Sequence, residues 1–338
     1  MHAVDLDVFI AAHRAEWDRL SALVRRQNSL RGPETDELIT LYQRVATHLS
    51  MVRSQAPDPA LVERLSALTA SARGAVTGSH APAWREVGLF FTQRLPAAMY
   101  RAWPWWVPTA AVFLLVTAGL AAWVANDPTV QASIAAPEEV RQLTKAGGDF
   151  ETYYSSSPAS SFAARVWTNN AWVAAGCLML GVLGGVPVVL MLAVNAVNVG
   201  VSGGLMFAAG RGDAFLGLIA PHGLLELTAL FVAAGTGLKL GWTVIDPGGL
   251  PRAQALARQG RTVVLMALGL TCVLFVSGLI EAYVTPSKLP TEARIGIGIA
   301  AEAAFLVYVF WLGRKAAKAG VTGDLDEQYA GDTAPVSS

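Results

Sequence analysis

Five long apolar runs recur between Trp103 and Leu312, each with at most three ionisable residues. They are Trp103–Val124, Ala171–Val194, Phe215–Val244, Thr262–Val284 and Ile295–Leu312. A hydrocarbon core of about 30 Å takes about 20 apolar residues as a helix, so each run is long enough, or nearly so, to cross it. The chain is therefore predicted to be all-α, a polytopic transmembrane helical bundle. Composition agrees, with 53% apolar and 15% charged residues, against about 25% charged in an ordinary soluble domain.

A net charge of zero hides segregation. Met1–Arg101 holds twelve Arg, no Lys and ten acids, about half of the 25 basic residues. Cys177 and Cys272 both lie inside apolar runs. Disulfide frameworks and zinc clusters need closely placed, accessible thiols, so both are read as small core residues. Val4–Arg26 is amphipathic and charge-rich, unlike a cleavable signal peptide.

Residues 1–82 read as a cytoplasmic three-helix domain. Leu6, Phe9, Ile10, His13, Trp17, Leu20 and Val24 form one stripe at helical spacing. Gly32-Pro33 and Asp58-Pro59 each start a further helix, the second with a cap-and-start pair. His13 sits on the stripe and is read as a core residue. The arginines are interspersed with acids, which describes a solvated face and not the one-sided basic patch that nucleic acid requires. Residues 83–102 mix Trp84, Phe90, Phe91 and Tyr100 with Arg85, Arg94 and Arg101, the composition of an interfacial helix bending at Pro96.

The bundle is placed at residues 103–313. Arg94 and Arg101 precede the first span, Arg252, Arg258 and Arg261 fill one loop, and Arg314, Lys315 and Lys318 begin the tail. Basic residues gather on the cytoplasmic side, which places both termini there and residues 126–170 outside. About six crossings follow. The crossing through Asn195–Gly204 is small and polar, and is expected to be short or broken. Five crossings with a re-entrant hairpin is the rival topology. Residues 314–338 make a cytoplasmic tail that is expected to be disordered, acidic over Val321–Ser338.

An ionisable residue near the bilayer centre costs about 2.5–3.5 kcal/mol on insertion scales. The candidate polar site is His222, Glu226, Glu281, Asn195 and Asn198, with Pro221 and Gly223 expected to break the helix around His222. Glu226 follows His222 by one helical turn on the same face. Glu302 lies in the last run, and Lys239 is expected to snorkel out of its own. Three readings compete: a cation or proton path, a catalytic centre, or hydrogen bonds that fix helix register. His-x-x-x-Glu by itself is a weak metal pattern. With no Walker, nucleophile-elbow or Rossmann signature in the sequence, no cofactor and no enzyme activity are expected.

Asn195–Gly204, Pro221-His222-Gly223-Leu-Leu-Glu226-Leu and Gly278-Leu-Ile-Glu281-Ala-Tyr-Val-Thr-Pro286, in that order, resemble the stage II sporulation protein M family of bacterial integral membrane proteins. The likeness covers roughly residues 100–315 and carries no enzyme signature. It implies a multi-pass protein of the bacterial cell membrane that acts as a scaffold for envelope machinery. Partners it implies are peptidoglycan-remodelling proteins and an AAA-type ATPase; the apolar runs themselves imply the lipid bilayer, and the small-residue stretches Gly181–Gly185 and Gly200–Gly204 allow a second copy of the chain. A permease or channel-like subunit using the His/Glu site is the alternative.

Overall fold

The computed structural model describes residues 6–30, 32–55, 58–76, 83–153 and 158–323. Of the tail expected to be disordered, Arg314–Lys318 are helical, a correction, while 324–338 lie outside the described residues, as do Ser155–Ser157. No strand occurs among those described, and the chain divides into two compact units, residues 1–86 and 87–338.

The first unit packs α1 (Leu6–Arg25), α2 (Gly32–Gln55) and α3 (Pro59–Val76) around one core. Residues at spacings of three and four line each buried stripe: Trp17 and Leu20 from α1, Leu38, Val45 and Val52 from α2, Leu61 and Leu65 from α3. The Asp58 side chain accepts the Leu61 amide at 2.7 Å and so caps α3. The arginines lie on the surface among acids. Arg19, Arg44 and Arg64 pair with Glu37, Glu16 and Asp18 on other helices. His13 packs its ring 4.0 Å from that of His48, whose Nδ1 accepts the buried Trp17 indole N–H at 3.2 Å.

The second unit begins in α4 (Ala83–Leu89), which runs through a π-type turn at Phe90–Arg94 into α5 (Leu95–Arg101). Six long helices follow: α6 (Trp103–Asn126), α10 (Ala159–Leu180), α11 (Val186–Ala208), α12 (Gly212–Ile245), α13 (Arg252–Leu279, prolonged by a π turn to Val284) and α14 (Thr291–Val307, continued by a π turn and α15, Arg314–Lys318). Five of them are long and apolar enough to cross a membrane. The sixth, α10, is 22 residues long but carries Arg165, Asn169 and Asn170. Contacts between paired positions show that the helices alternate in direction. Gly200 and Gly204 of α11 meet Leu120 and Val124 of α6, so those two run parallel. Gly217 and Gly298 bring α12 and α14 together in parallel, against Thr291 and Pro221 respectively. Helix α13 runs the other way, with Ser277 bonded to the His222 carbonyl.

Glycine positions set how closely these helices approach. Gly181 at the end of α10 lies against the Gly237 backbone, and Gly241 against Gly181 and Gly185. No side chain fits between these backbones. Gly235 meets the Trp106 backbone in the same way. As a result the stretch Ala229–Gly237 of α12 is buried throughout, while Leu114, Leu115, Val189, Leu190 and Val264 on outer helices are exposed. A helical body that buries its small residues and exposes large aliphatic ones suits a lipid environment. The protein is a multi-pass membrane protein.

Three expectations need correction. Helix α11 is a continuous 23-residue helix, neither short nor unwound, because its Gly200, Gly203 and Gly204 serve packing. The surface-lying helix over 83–102 is only partly that. Leu95–Met99 are buried in the bundle, Leu95 seated on Gly269 and the Pro96 carbonyl on Gly313. Cys177 is buried as expected, but Cys272 is exposed.

The segment between α6 and α10 is ordered by its own caps. Asp127 Oδ1 accepts from the Thr129 and Val130 amides at the start of α7 (Pro128–Ile134). Glu139 accepts the Ala136 amide ahead of α8 (Pro137–Thr144). Glu151 of α9 (Asp149–Thr152) pairs with Arg211, which also donates to the Thr144 carbonyl. This clamp holds the segment to the entry of α12.

Candidate functional site

Helix α12 runs unbroken through Pro221 and Gly223, which corrects the expected helix break. A proline removes the N–H that would bond the carbonyl four residues earlier, and a membrane helix tolerates this when neighbours pack tightly on it. Here Gly298 of α14 seats directly on the Pro221 and Ala220 carbonyls. With α12 intact, His222 and Glu226 stay one turn apart on the same side.

Glu281 reaches them from α13 through a change in helical pitch. The Thr285 amide bonds the Ile280 carbonyl at 3.0 Å, five residues back, which defines the π turn. Such turns insert one residue, re-aim the side chains beyond it and recur at functional sites. Glu281 is 4% and His222 5% exposed. His222 Nε2 lies 3.8 Å from Glu281 Oε1, and His222 Nδ1 lies 3.2 Å from the Thr285 hydroxyl. One ligand atom from each of His222, Glu226 and Glu281 falls within 4.8 Å of the others. Asn170 of α10 lies beside the Glu226 carboxylate. Glu281 Oε2 has no hydrogen-bond partner among the described residues.

Asn195 and Asn198 do not join this cluster. Asn195 donates to the Met191 carbonyl of its own helix, and Asn198 is exposed on α11. Glu302 forms a separate contact, accepting from Thr228 at 2.9 Å. Arg294, Thr285 and Ser277 escaped the sequence reading. Arg294 donates to the Thr285 carbonyl at 2.6 Å and to Thr291, and its Nε is buried without a partner among the described residues. Thr285-Pro286 beside Glu281 was the available signal, because a hydroxyl four residues from an acid shares its helix face. Lys239 lines a cavity at the basic end of the bundle, among Arg101 and Arg258.

Two carboxylates beside one imidazole in an apolar interior need a compensating proton or cation. The set of one nitrogen and two carboxylate ligands can hold either. The unit that carries it is matched over residues 110–286 by the family model of stage II sporulation protein M. The chain belongs to that family. The matched range ends on the Glu281–Pro286 segment, so the cluster lies wholly inside the family's domain. Residues 7–78 match a separate model, a domain of unknown function (DUF8413), coextensive with the three-helix unit. No curated protein and no solved structure matches the chain.

Proposed function

We propose that this member of the stage II sporulation protein M family is a non-enzymatic scaffold or assembly factor for bacterial envelope machinery, held in the cell membrane with both termini in the cytoplasm. The observation that carries this reading is the packing of α12. Gly181 on Gly237, Gly235 on Trp106 and Gly298 on Pro221 bring backbone against backbone on three sides. Contacts of this kind resist the rocking by which transporters alternate access, and they suit a rigid platform. Orientation is supported by the gathering of Arg101, Arg258 and Lys239 around one cavity, with Arg101 bonded to the Ala317 and Val321 carbonyls near the chain's end. The self-contained three-helix unit and the clamped α7–α9 segment offer docking surfaces for an AAA-type ATPase and for peptidoglycan-remodelling proteins.

The polar cluster favours a second reading, a permease or channel-like subunit in which His222, Glu226 and Glu281 pass a cation or proton. One experiment separates the two. The tagged full chain is captured from its native membrane in mild detergent beside its Glu226→Gln variant, and both are reconstituted into liposomes for cation flux. Recovery of cell-wall enzymes or an ATPase with both forms, and no flux, is the expected result. Flux that Glu226→Gln abolishes, without such partners, overturns the scaffold in favour of the permease.

A further inference from the structure

A second polar site lies apart from the His/Glu cluster, at the basic end of the bundle where α12 ends and α13 begins. A cavity of about 400 Å³ is lined there by Arg101, Lys239, Thr243, Arg258, Gln259 and Thr262, among others. Among the described residues no carboxylate lines it. Lys239 is half-buried, and its ammonium has no hydrogen bond or ion pair among the described residues. Gln259 is 8% exposed, and its Nε2 is buried without a hydrogen-bond partner among the described residues. An orphaned amide donor of this kind is unfavourable unless something accepts from it. Lys239, set beside Arg101 and Arg258 in a part-buried pocket, is repelled by both unless an anion sits against it.

The donors suggest the chemistry of that anion. The Lys239 ammonium and the Gln259 amide N–H₂ line one space with the Arg258 guanidinium beside them, while the Thr243 and Thr262 hydroxyls donate to carbonyls of their own helices. This set matches the several acceptor oxygens of a phosphate group better than a planar carboxylate. Basic pockets between transmembrane helices, at the level of the headgroups, are where anionic lipids are held.

We propose that this cavity binds a phosphate group, presented by an anionic lipid headgroup or free in solution, with Lys239 and Gln259 as its central donors. Binding there would tie α5, α12, α13 and the Ala317–Val321 backbone together through Arg101.

The test uses the purified full chain and native mass spectrometry, with phosphatidylglycerol, phosphatidylcholine and inorganic phosphate as separate probes. If the source is lipid, the wild type retains phosphatidylglycerol over phosphatidylcholine by about tenfold, equivalent to about 1.4 kcal/mol. Lys239→Gln loses that preference, and Lys239→Arg keeps it. If the source is a free phosphate, inorganic phosphate binds without any lipid preference, and Lys239→Gln removes it. Equal retention of every probe by the wild type and Lys239→Gln overturns the proposal. Should Lys239→Gln fail to fold, Gln259→Met, which keeps the volume and deletes the orphaned donor, is read by the same criteria.

Discussion

His222 Nε2 on α12 stands 3.8 Å from Glu281 Oε1 on the π turn of α13, and the Thr285 hydroxyl holds the other ring nitrogen at 3.2 Å. One imidazole thus bridges two points of α13 that are a helical turn apart. This ties α12 to the π turn whatever else the cluster does. The Ser277 hydroxyl, bonded to the His222 carbonyl at 3.1 Å, adds a third tie from the same helix.

The coupling between His222 and Thr285 is measurable. His222→Phe and Thr285→Val each remove the buried contact between the two side chains, and each is expected to lower stability by about 1–3 kcal/mol. The double variant should cost less than the sum, with an interaction of about 1 kcal/mol. Thermal unfolding of all four forms in the same detergent gives the cycle. Strict additivity would show that the 3.2 Å contact contributes nothing.

Gly298 allows α14 to seat on α12. A methyl group there meets the Ala220 and Pro221 carbonyls, whereas one at Gly296 meets nothing within 4 Å. Gly298→Ala is expected to cost about 1–3 kcal/mol by overpacking. Gly296→Ala should be neutral or slightly stabilising, since alanine favours helix by about 1 kcal/mol. Comparison of the two melting temperatures, with monodispersity by size exclusion, checks both.

The Arg211 clamp predicts local rather than global instability. Arg211→Ala removes the pair with Glu151 and the bond to the Thr144 carbonyl. A loss of about 1 kcal/mol is expected, confined to α7–α9. Hydrogen exchange should rise in peptides from 128–153 and stay unchanged in α12 and α13.

His48 makes the three-helix unit pH-dependent. Burial, together with the neighbouring His13, holds its imidazole below the ordinary histidine range. The unfolded chain therefore takes up a proton near pH 6.5 while the folded unit does not. Stability is complete above that pH and falls as pH drops below it. Hydrogen exchange in α1 and α2, corrected for intrinsic rates, should show more protection at pH 7.5 than at 5.5. His48→Gln should flatten the difference.

The apolar runs alone determined that the chain is helical and crosses a membrane. Their length and lack of charge leave the backbone no other way to satisfy its polar groups. The three helices of the first unit were equally legible, because a stripe at spacing three and four such as Trp17 and Leu20 or Val45, Leu49 and Val52 depends only on local periodicity, although Leu23 and not the expected Val24 is the buried residue that ends the α1 stripe. The pairing of His222 with Glu226 was readable for the same reason, since both lie on one helix face.

Tertiary packing decided the rest. Pro221 and Gly223 look like breakers in sequence, yet α12 continues through them because Gly298, distant in the chain, packs over the Pro221 carbonyl. Glycines in α11 have the same composition whether they unwind a helix or let one approach, and only Leu120 and Val124 across the interface show that they do the latter. Glu281 joins His222 through a π turn that no local pattern announces. Asn195, the same kind of intramembrane polar residue, turns back to its own helix at Met191. Local periodicity sets which residues share a face. Which faces meet depends on where side chains are small enough for backbones to touch, and that is a property of pairs of helices.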